Sequence, residues 1–185
     1  MITELDRSGW IGASDVQYVI GNWKTRTWEK WWLKKLGIDS SRFDNRYTLA
    51  GTHFEHRILE SLHIPGLVLD RQIKNRELLL RVNLDGDTGD KIYECKTYKL
   101  CNGWKCPAKY IHQVQVQMYA SGIKEAYIVS YGLEEADYDN FLRGIDPERI
   151  RMDPVLYDGR WIENVYLPKH MILADCLKRG AFPDV

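Results

Sequence analysis

The segment from residue 78 to residue 99 brings acids, a lysine and a glycine-rich turn close together. Asp85 ends an apolar run, and Glu94 and Lys96 follow on an alternating run of the kind that forms a strand. Side chains two residues apart share one face of a strand, and the turn brings Asp85 back beside them. Carboxylates that converge repel each other unless a cation lies between them, and their oxygens suit Mg²⁺ or Mn²⁺. With Lys96 to act on water or on a charged phosphate, the group has the components for phosphodiester hydrolysis.

Two non-catalytic structures compete with a metal site on these residues. The turn sequence DGDTGD is similar to a calcium loop, but an EF-hand places a third Asp or Asn before its glycine and is flanked by helices. A solvated hairpin edge, on which Glu and Lys prevent aggregation between strands, explains the residues as well as a metal site does. Asp87 and Asp90 fit the turn itself. The hairpin alone leaves the edge and the metal site open.

Composition and charge predict one globular domain but no particular partner. The 185 residues can bury a core, and 44% hydrophobic with 28% charged residues are ordinary values. No run approaches the roughly 20 apolar residues of a membrane span. The first ten residues lack the layout of a secretion signal, so we expect a cytoplasmic protein with no membrane contact. The 26 basic and 26 acidic residues balance, although a neutral total can combine a basic groove with an acidic metal site.

The cysteines give no clear metal motif. They lie at positions 95, 101, 106 and 176, form no CxxC pair and have no histidine at zinc-finger spacing. In a reducing compartment we therefore expect four free thiols. An iron–sulfur or zinc cluster is the alternative.

Apolar periodicity predicts a mixed α/β domain. Ser14 is the predicted N-cap of a first helix. Further helices are predicted to end at Gly37, to cover residues 45–64 and 110–122, and to end at Gly180, with strands over residues 66–74, 77–85, 91–99 and 125–133. Trp28, Trp31 and Trp32 fit either a stripe that faces the core or a surface that stacks nucleic-acid bases.

Four motifs in order carry a family resemblance. Asp85, followed nine positions later by Glu94-x-Lys96, resembles the core of the PD-(D/E)xK nuclease superfamily. Gly51-x-x-x-Glu55 resembles the motif that precedes it in the RecB and lambda exonuclease branch, and the glutamine-rich segment YIHQVQVQMYASG resembles the helix that follows it. The segment RSGWIGASDVQYVIG is similar to the start of lambda exonuclease and of the YqaJ viral recombinase family. The resemblance covers roughly residues 5–132.

The resemblance implies a role for each matching residue. The metal ligands would be Asp85, Glu94, the backbone carbonyl of Cys95, and Glu55; Lys96 would act on the attacking water, Gln113 would position it, Arg7 and Ser14 would hold a 5′-phosphate, and Gln115 and Tyr110 would contact DNA. The histidines beside these residues, His53, His56 and His112, are expected to be surface or packing residues. One departure is Leu84, which stands where the family often has proline.

The family's activity is then the expected function. The resemblance implies a single nuclease domain over residues 1–185, with a PD-(D/E)xK fold in which helices flank a mixed sheet. The region 133–185 is expected to be helical and has no assigned role. The expected enzyme uses one or two Mg²⁺ ions, or Mn²⁺, to digest linear double-stranded DNA from 5′ to 3′. The 3′ overhang would serve a single-strand annealing protein in phage-type recombination, and the precedent for assembly is a homotrimer. The alternatives are an AddB-like nuclease with an iron–sulfur cluster and a non-catalytic DNA-binding module of the same fold.

Overall fold

Five strands form one mixed sheet in the order β1-β2-β3-β4-β5. The computed structural model describes residues 6–41 and 45–184, so the ends of the predicted domain lie outside the described residues. The strands are β1 Val68–Asn75, β2 Leu80–Asp87, β3 Lys91–Lys99, β4 Glu125–Leu133 and β5 Ile150–Leu156. The helices are α1 Val16–Ile20, α2 Arg26–Lys35, α3 Arg46–Ser61, α4 Ala108–Ser121, α5 Glu135–Asp139, α6 Gly159–Trp161 and α7 Leu167–Arg179, with a π-helical turn at Ile162–Tyr166.

Helices cover both faces of the sheet. Strands β1 to β3 run antiparallel, β3 and β4 are parallel and connected through α4, and β5 is antiparallel to β4. Ile92 and Ile128 pack with apolar residues of α2, α4 and α7, whereas their neighbours Tyr93 and Val129 pack with those of α3. This two-residue alternation is what a strand buried on both faces requires.

The strands β2 and β3 separate soon after the turn that joins them. Their paired residues are Gly86 with Tyr93 and Asp87 with Ile92. Beyond these pairs, the backbone N–H of Cys95 donates to the Asp85 carboxylate at 2.9 Å. A side chain therefore satisfies a strand N–H group, and the acidic residues lie where the two strands part.

The tryptophans of α2 belong to the core. Trp28, Trp31 and Trp32 are buried, and their indole N–H groups donate to the Tyr18 carbonyl, the Asp15 carboxylate and the Ala181 carbonyl respectively. Because both their faces and their N–H groups are occupied, the core-facing stripe is the correct alternative.

The helices and strands that periodicity predicts are present, with two corrections. Ser14 does not cap a helix: it lies inside the 3-10 turn Ala13–Asp15, whose N-cap is Gly12. The C-terminal region is not wholly helical, because β5 completes the sheet there. This strand contains Pro154 and lies at the edge, where a missing N–H group is tolerated.

The cysteines are dispersed through the fold. Cys95 and Cys176 are buried in different apolar clusters, Cys101 is exposed, and all four are free thiols. This dispersal argues against the AddB-like iron–sulfur cluster. In the described part of the chain, no helix is both long and apolar enough to cross a bilayer.

Candidate active site

A cavity of about 210 Å³ opens where β2 and β3 part. Its lining combines acidic residues with basic residues and one turn from the N-terminal segment. It is lined by Arg7, Trp10, Gly12, Ala13, Ser14, Lys35, Glu55, Arg81, Asn83, Asp85, Glu94, Lys96 and Gln113. The structure thus brings together the predicted acids, lysine, glutamine and phosphate-binding pair from five separate parts of the chain.

The carboxylate of Glu94 accepts hydrogen bonds from three side chains around the cavity. It is 1% exposed, and its Oε1 accepts from Lys96 Nζ and from Gln113 Nε2, each at 2.5 Å. Its Oε2 accepts from Gln117 Nε2 at 2.5 Å, and the same Gln117 amide lies 3.2 Å from the Asn83 carbonyl. Three donors therefore fix the orientation of this carboxylate.

Helix α4 separates its glutamines by face. Residues four apart share one side of a helix, so Gln113 and Gln117 both reach Glu94. Gln115 points elsewhere: it donates to the Leu156 carbonyl at 2.8 Å and accepts from the Asp158 N–H at 2.7 Å. Gln115 therefore lies outside the lining of the cavity, with its amide buried and bonded to backbone, and its contact with DNA stays a prediction. Gln117 was missed, although its spacing from Gln113 was a usable signal.

Mutual repulsion and burial make the acidic group costly when it is fully charged. Burial, followed by the nearby charge of Glu94, raises the pKa of Glu55 to about 6. The same two causes raise the pKa of Asp85 well above its ordinary value. Burial alone would lower the pKa of Lys96, but the charges of Glu94 and Asp85 outweigh it and raise that pKa. One ammonium therefore faces three carboxylates.

This donor set fits a divalent cation. The carboxylate oxygens of Asp85, Glu94 and Glu55 line one cavity, and hard oxygen ligands are those that Mg²⁺ and Mn²⁺ prefer. A dication would offset the repulsion that raises the carboxylate pKa values. The thiol of Cys95 is buried and its pKa is raised well above the ordinary value by that burial, so only the backbone of this residue suits a hard cation.

A second acidic group shares Glu55. Glu55, His56 and Asp70 each offer one ligand atom, and these atoms lie within 4.8 Å of one another. His56 Nε2 lies 3.1 Å from Asp70 Oδ1, so this histidine is part of a polar group rather than a simple packing residue. Asp70 comes from β1, and its position gave no signal in the sequence.

The basic residues of the cavity surround the N-terminal turn. Arg7 Nη1 donates to Ser14 Oγ at 3.5 Å, so the predicted phosphate-binding pair is adjacent. Lys35 is 5% exposed and pairs with Asp15 at 2.5 Å, and Arg81 donates to the Asp6 carbonyl at 2.6 Å. Lys35 and Arg81 were not predicted: a lysine in the last turn of a helix ordinarily lies in solvent, and only the tertiary fold buries this one.

Tyr110 lies beside Lys96 at the edge of the cavity. Lys96 Nζ is 5.1 Å from the centroid of its ring. The tyrosine lines a second cavity, which also borders Glu55 and Lys96.

The comparisons with known proteins agree with this geometry. The profile of the YqaJ-like viral recombinase domain matches residues 4–124. The chain belongs to the YqaJ-like viral recombinase family. The match extends from the N-terminal turn through α4, so it contains every residue that lines the first cavity, and the family resemblance predicted from the motifs is confirmed. No curated protein matches the chain in sequence.

Solved structures show that this YqaJ-like chain has an alkaline exonuclease fold. It is similar to the alkaline exonuclease LHK-Exo from Laribacter hongkongensis, with a TM-score of 0.72, 19% identity, and coverage of 94% of this chain and 90% of that one. The structure of LHK-Exo in complex with dAMP has a TM-score of 0.70 and 20% identity, again over 94% of this chain and 90% of that one. A phage-related exonuclease from Haemophilus somnus 129PT is similar with a TM-score of 0.62 and 15% identity, over 91% of this chain and 92% of that one. The predicted PD-(D/E)xK fold class is confirmed.

Proposed function

We propose that the protein is a divalent-metal-dependent exonuclease that digests linear double-stranded DNA from the 5′ end. The observation that carries this proposal is the cavity that the buried Glu94 and the partly buried Asp85 and Glu55 line together with Lys96, next to the adjacent pair Arg7 and Ser14. Its family membership and its structural similarity to the alkaline exonuclease LHK-Exo and to the phage-related exonuclease support the same activity.

The residues of the cavity divide the work of hydrolysis. Asp85, Glu94, Glu55 and the carbonyl of Cys95 would hold Mg²⁺ or Mn²⁺. When bound, such an ion polarises a phosphoryl oxygen and makes water easier to deprotonate. Lys96 carries its proton in this environment, so it stabilises the negative charge that develops on the phosphate.

Gln113 and Lys96 also fix the attacking geometry. Both donate to Glu94 Oε1, so the amide and the ammonium converge at one point of the cavity. A water held there attacks phosphorus, the bond from phosphorus to the 3′ oxygen breaks, and that oxygen takes a proton. One nucleotide leaves with its 5′-phosphate and a new 3′-hydroxyl, and the shortened strand carries the next 5′-phosphate.

The basic residues set the proposed polarity. The Arg7 guanidinium and the Ser14 hydroxyl would hold the terminal 5′-phosphate, since a guanidinium forms paired hydrogen bonds with phosphate oxygens. Lys35 and Arg81 add positive charge to the same cavity. A 3′ overhang is the product, and its use by a single-strand annealing protein and the assembly of a homotrimer remain predictions.

Duplexes labelled at one end test the polarity. Incubation with Mg²⁺ of duplexes carrying a 5′-phosphate or a 5′-hydroxyl should release the 5′ label first, and faster from the phosphorylated end. Arg7→Ala should remove most of that preference while it leaves slow cutting of the hydroxyl end. Release of the 3′ label first would show that this polarity is wrong, and equal rates at both kinds of 5′ end would show that Arg7 and Ser14 do not hold a terminal phosphate.

A further inference from the structure

A second cavity adjoins the candidate active site and has no role in the proposed reaction. Its volume is about 530 Å³, and it shares Glu55 and Lys96 with the first cavity. It is lined by Asn45, Tyr47, Thr48, Gly51, Thr52, Glu55, Cys95, Lys96, Thr97, Tyr98, Lys99, Tyr110 and Tyr138. A strand with its terminal phosphate at Arg7 and its scissile phosphate at Lys96 would continue into this cavity.

The lining of the second cavity has the chemistry of a base-binding surface. Four tyrosines line it, and Tyr47 is 46% exposed. Lys99 Nζ lies 5.0 Å from the centroid of the Tyr47 ring, which combines an aromatic face with a positive charge. Aromatic rings beside basic groups are how proteins hold single-stranded nucleic acid, because every base has a face that stacks.

Gly51 keeps the cavity open at a cost to its helix. It lies within α3, where glycine is less favourable than alanine by about 1 kcal/mol. A Cβ atom added there would meet Thr97 Oγ1 at 3.5 Å, an ordinary contact, so packing does not demand glycine. The residue lines the cavity, and any larger side chain would reduce the space there.

We propose that this cavity binds the base of the first nucleotide retained on the strand, on the far side of the scissile phosphate from the terminal phosphate. The proposal rests on the proposed function, since it assigns a subsite to that reaction. A cavity of about 530 Å³ is of the size that holds one small ligand, and a single nucleotide base is such a ligand. Tyr47 supplies the partly exposed ring, whose contacts include a T-shaped one with Tyr138 and the nearby charge of Lys99.

A duplex with a missing base tests this subsite. The substrate is a 5′-phosphorylated duplex with an abasic residue at the second position from the 5′ end, and the measurement is single-turnover release of the first nucleotide with Mg²⁺. The wild-type protein should cleave it more slowly than the intact duplex, by about 5- to 150-fold, the range that stacking of one base supplies. An abasic residue at the tenth position should have no effect.

Tyr47→Leu should show that the lost base and the ring interact. The variant should cleave the intact duplex more slowly by a similar factor, and the abasic residue should then add little further loss. Tyr47→Phe should keep the wild-type behaviour. Tyr157→Leu is the matched control and should leave cleavage unchanged. Lys124 Nζ lies 3.6 Å from the centroid of the Tyr157 ring, as Lys99 lies near Tyr47, but Tyr157 is outside both cavities.

Two results would overturn the proposal. One is wild-type release of the first nucleotide at equal rates from the intact and abasic duplexes. The other is that Tyr47→Leu on the abasic duplex loses rate by the product of the two separate losses. Independent effects of this kind would mean that the Tyr47 ring and the base are not in contact. Either result leaves the nuclease function standing, whereas absence of release from the intact duplex with Mg²⁺ would contradict the proposed function itself.

Discussion

Replacing Gln117 by leucine removes one of the three donors that orient Glu94. Gln117 is fully buried, and its amide N–H₂ group serves Glu94 Oε2 at 2.5 Å and the Asn83 carbonyl at 3.2 Å. A hydrogen bond to a charged group contributes about 1.5–3 kcal/mol, and removal of a residue that orients a metal ligand typically weakens metal binding by about 10- to 100-fold. We therefore expect Gln117→Leu to raise the Mg²⁺ concentration needed for half-maximal DNA digestion by about 10- to 100-fold.

The stability of this variant should fall less than the sum of its lost bonds. Gln117 Oε1 is buried without a hydrogen-bond partner, and a buried unsatisfied oxygen costs about 1–3 kcal/mol. Leucine removes that cost, but it also takes a donor from Glu94 Oε2 and from the Asn83 carbonyl, at about 1–3 kcal/mol each. The free energy of unfolding without metal, measured in urea, should therefore fall by about 1–3 kcal/mol.

Gln115→Leu is the matched control on the same helix. Gln115 bonds the Leu156 carbonyl and the Asp158 N–H, away from the cavity. Its loss leaves two backbone groups unpaired, at about 1–3 kcal/mol each, so the variant should be destabilised by about 2–4 kcal/mol with an unchanged Mg²⁺ requirement. If both variants, or neither, altered the Mg²⁺ requirement, the assignment of Gln117 to the site would be refuted.

Three further predictions concern metal binding, the pH dependence of stability and the ion pairs of a buried aspartate. Saturating Mg²⁺, at about 100 times its dissociation constant, should stabilise the protein by about 2.7 kcal/mol, or about 5–10 °C in melting temperature, and Asp85→Asn should abolish this gain. Burial lowers the pKa of His170, so its folded state binds fewer protons than the unfolded chain. The contribution of His170 to stability should therefore fall as pH drops below about 6.5, whereas Glu55 and Asp85, whose pKa values are raised, contribute in the opposite direction. Urea unfolding should show that the stability of His170→Gln relative to the wild-type protein rises as the pH falls from 7 to 5. Asp137→Asn, which removes the charge of a fully buried carboxylate that pairs with Arg149 and with the partly exposed Arg143, should cost about 3–5 kcal/mol in urea unfolding, whereas Asp175→Asn, in an exposed pair, should cost at most about 1 kcal/mol.

Local patterns were enough to predict most of the framework. Two-residue alternation identified the strand of Glu94 and Lys96, and helical periodicity identified α3. For α4 the alternation of Gln and Val also fits a strand, and the length of the segment, its flanks and the closing Gly122 favoured the helix. These signals depend on a few consecutive residues, so they survive without tertiary information. The edge strand β5 was not predicted, because Pro154 and polar residues interrupt its alternation and only pairing with β4 makes it a strand.

The site was predictable only where a motif marked it. Glu55 has no periodic signal of its own, and the spacing Gly51-x-x-x-Glu55 was what set it apart from a solvated helix acid. Lys35, Arg81 and Asp70 carry no such spacing, and their places in the two groups depend on how α2, β2 and β1 pack. Gln115 and Gln117 show the limit most clearly, because the side of α4 that faces Glu94 depends on the docking of the whole helix.

The most direct test of the central claim compares linear and circular DNA of one sequence. With Mg²⁺, the purified protein should release mononucleotides from the 5′ ends of the phosphorylated linear duplex, leave single-stranded DNA as the remainder, and leave the covalently closed circle intact, and a chelator should stop the reaction. Lys96→Ala should slow digestion by about 100-fold or more, as expected when a group that assists proton transfer or charge stabilisation is lost. Equal cutting of the circle, or full activity of Lys96→Ala, would contradict the account.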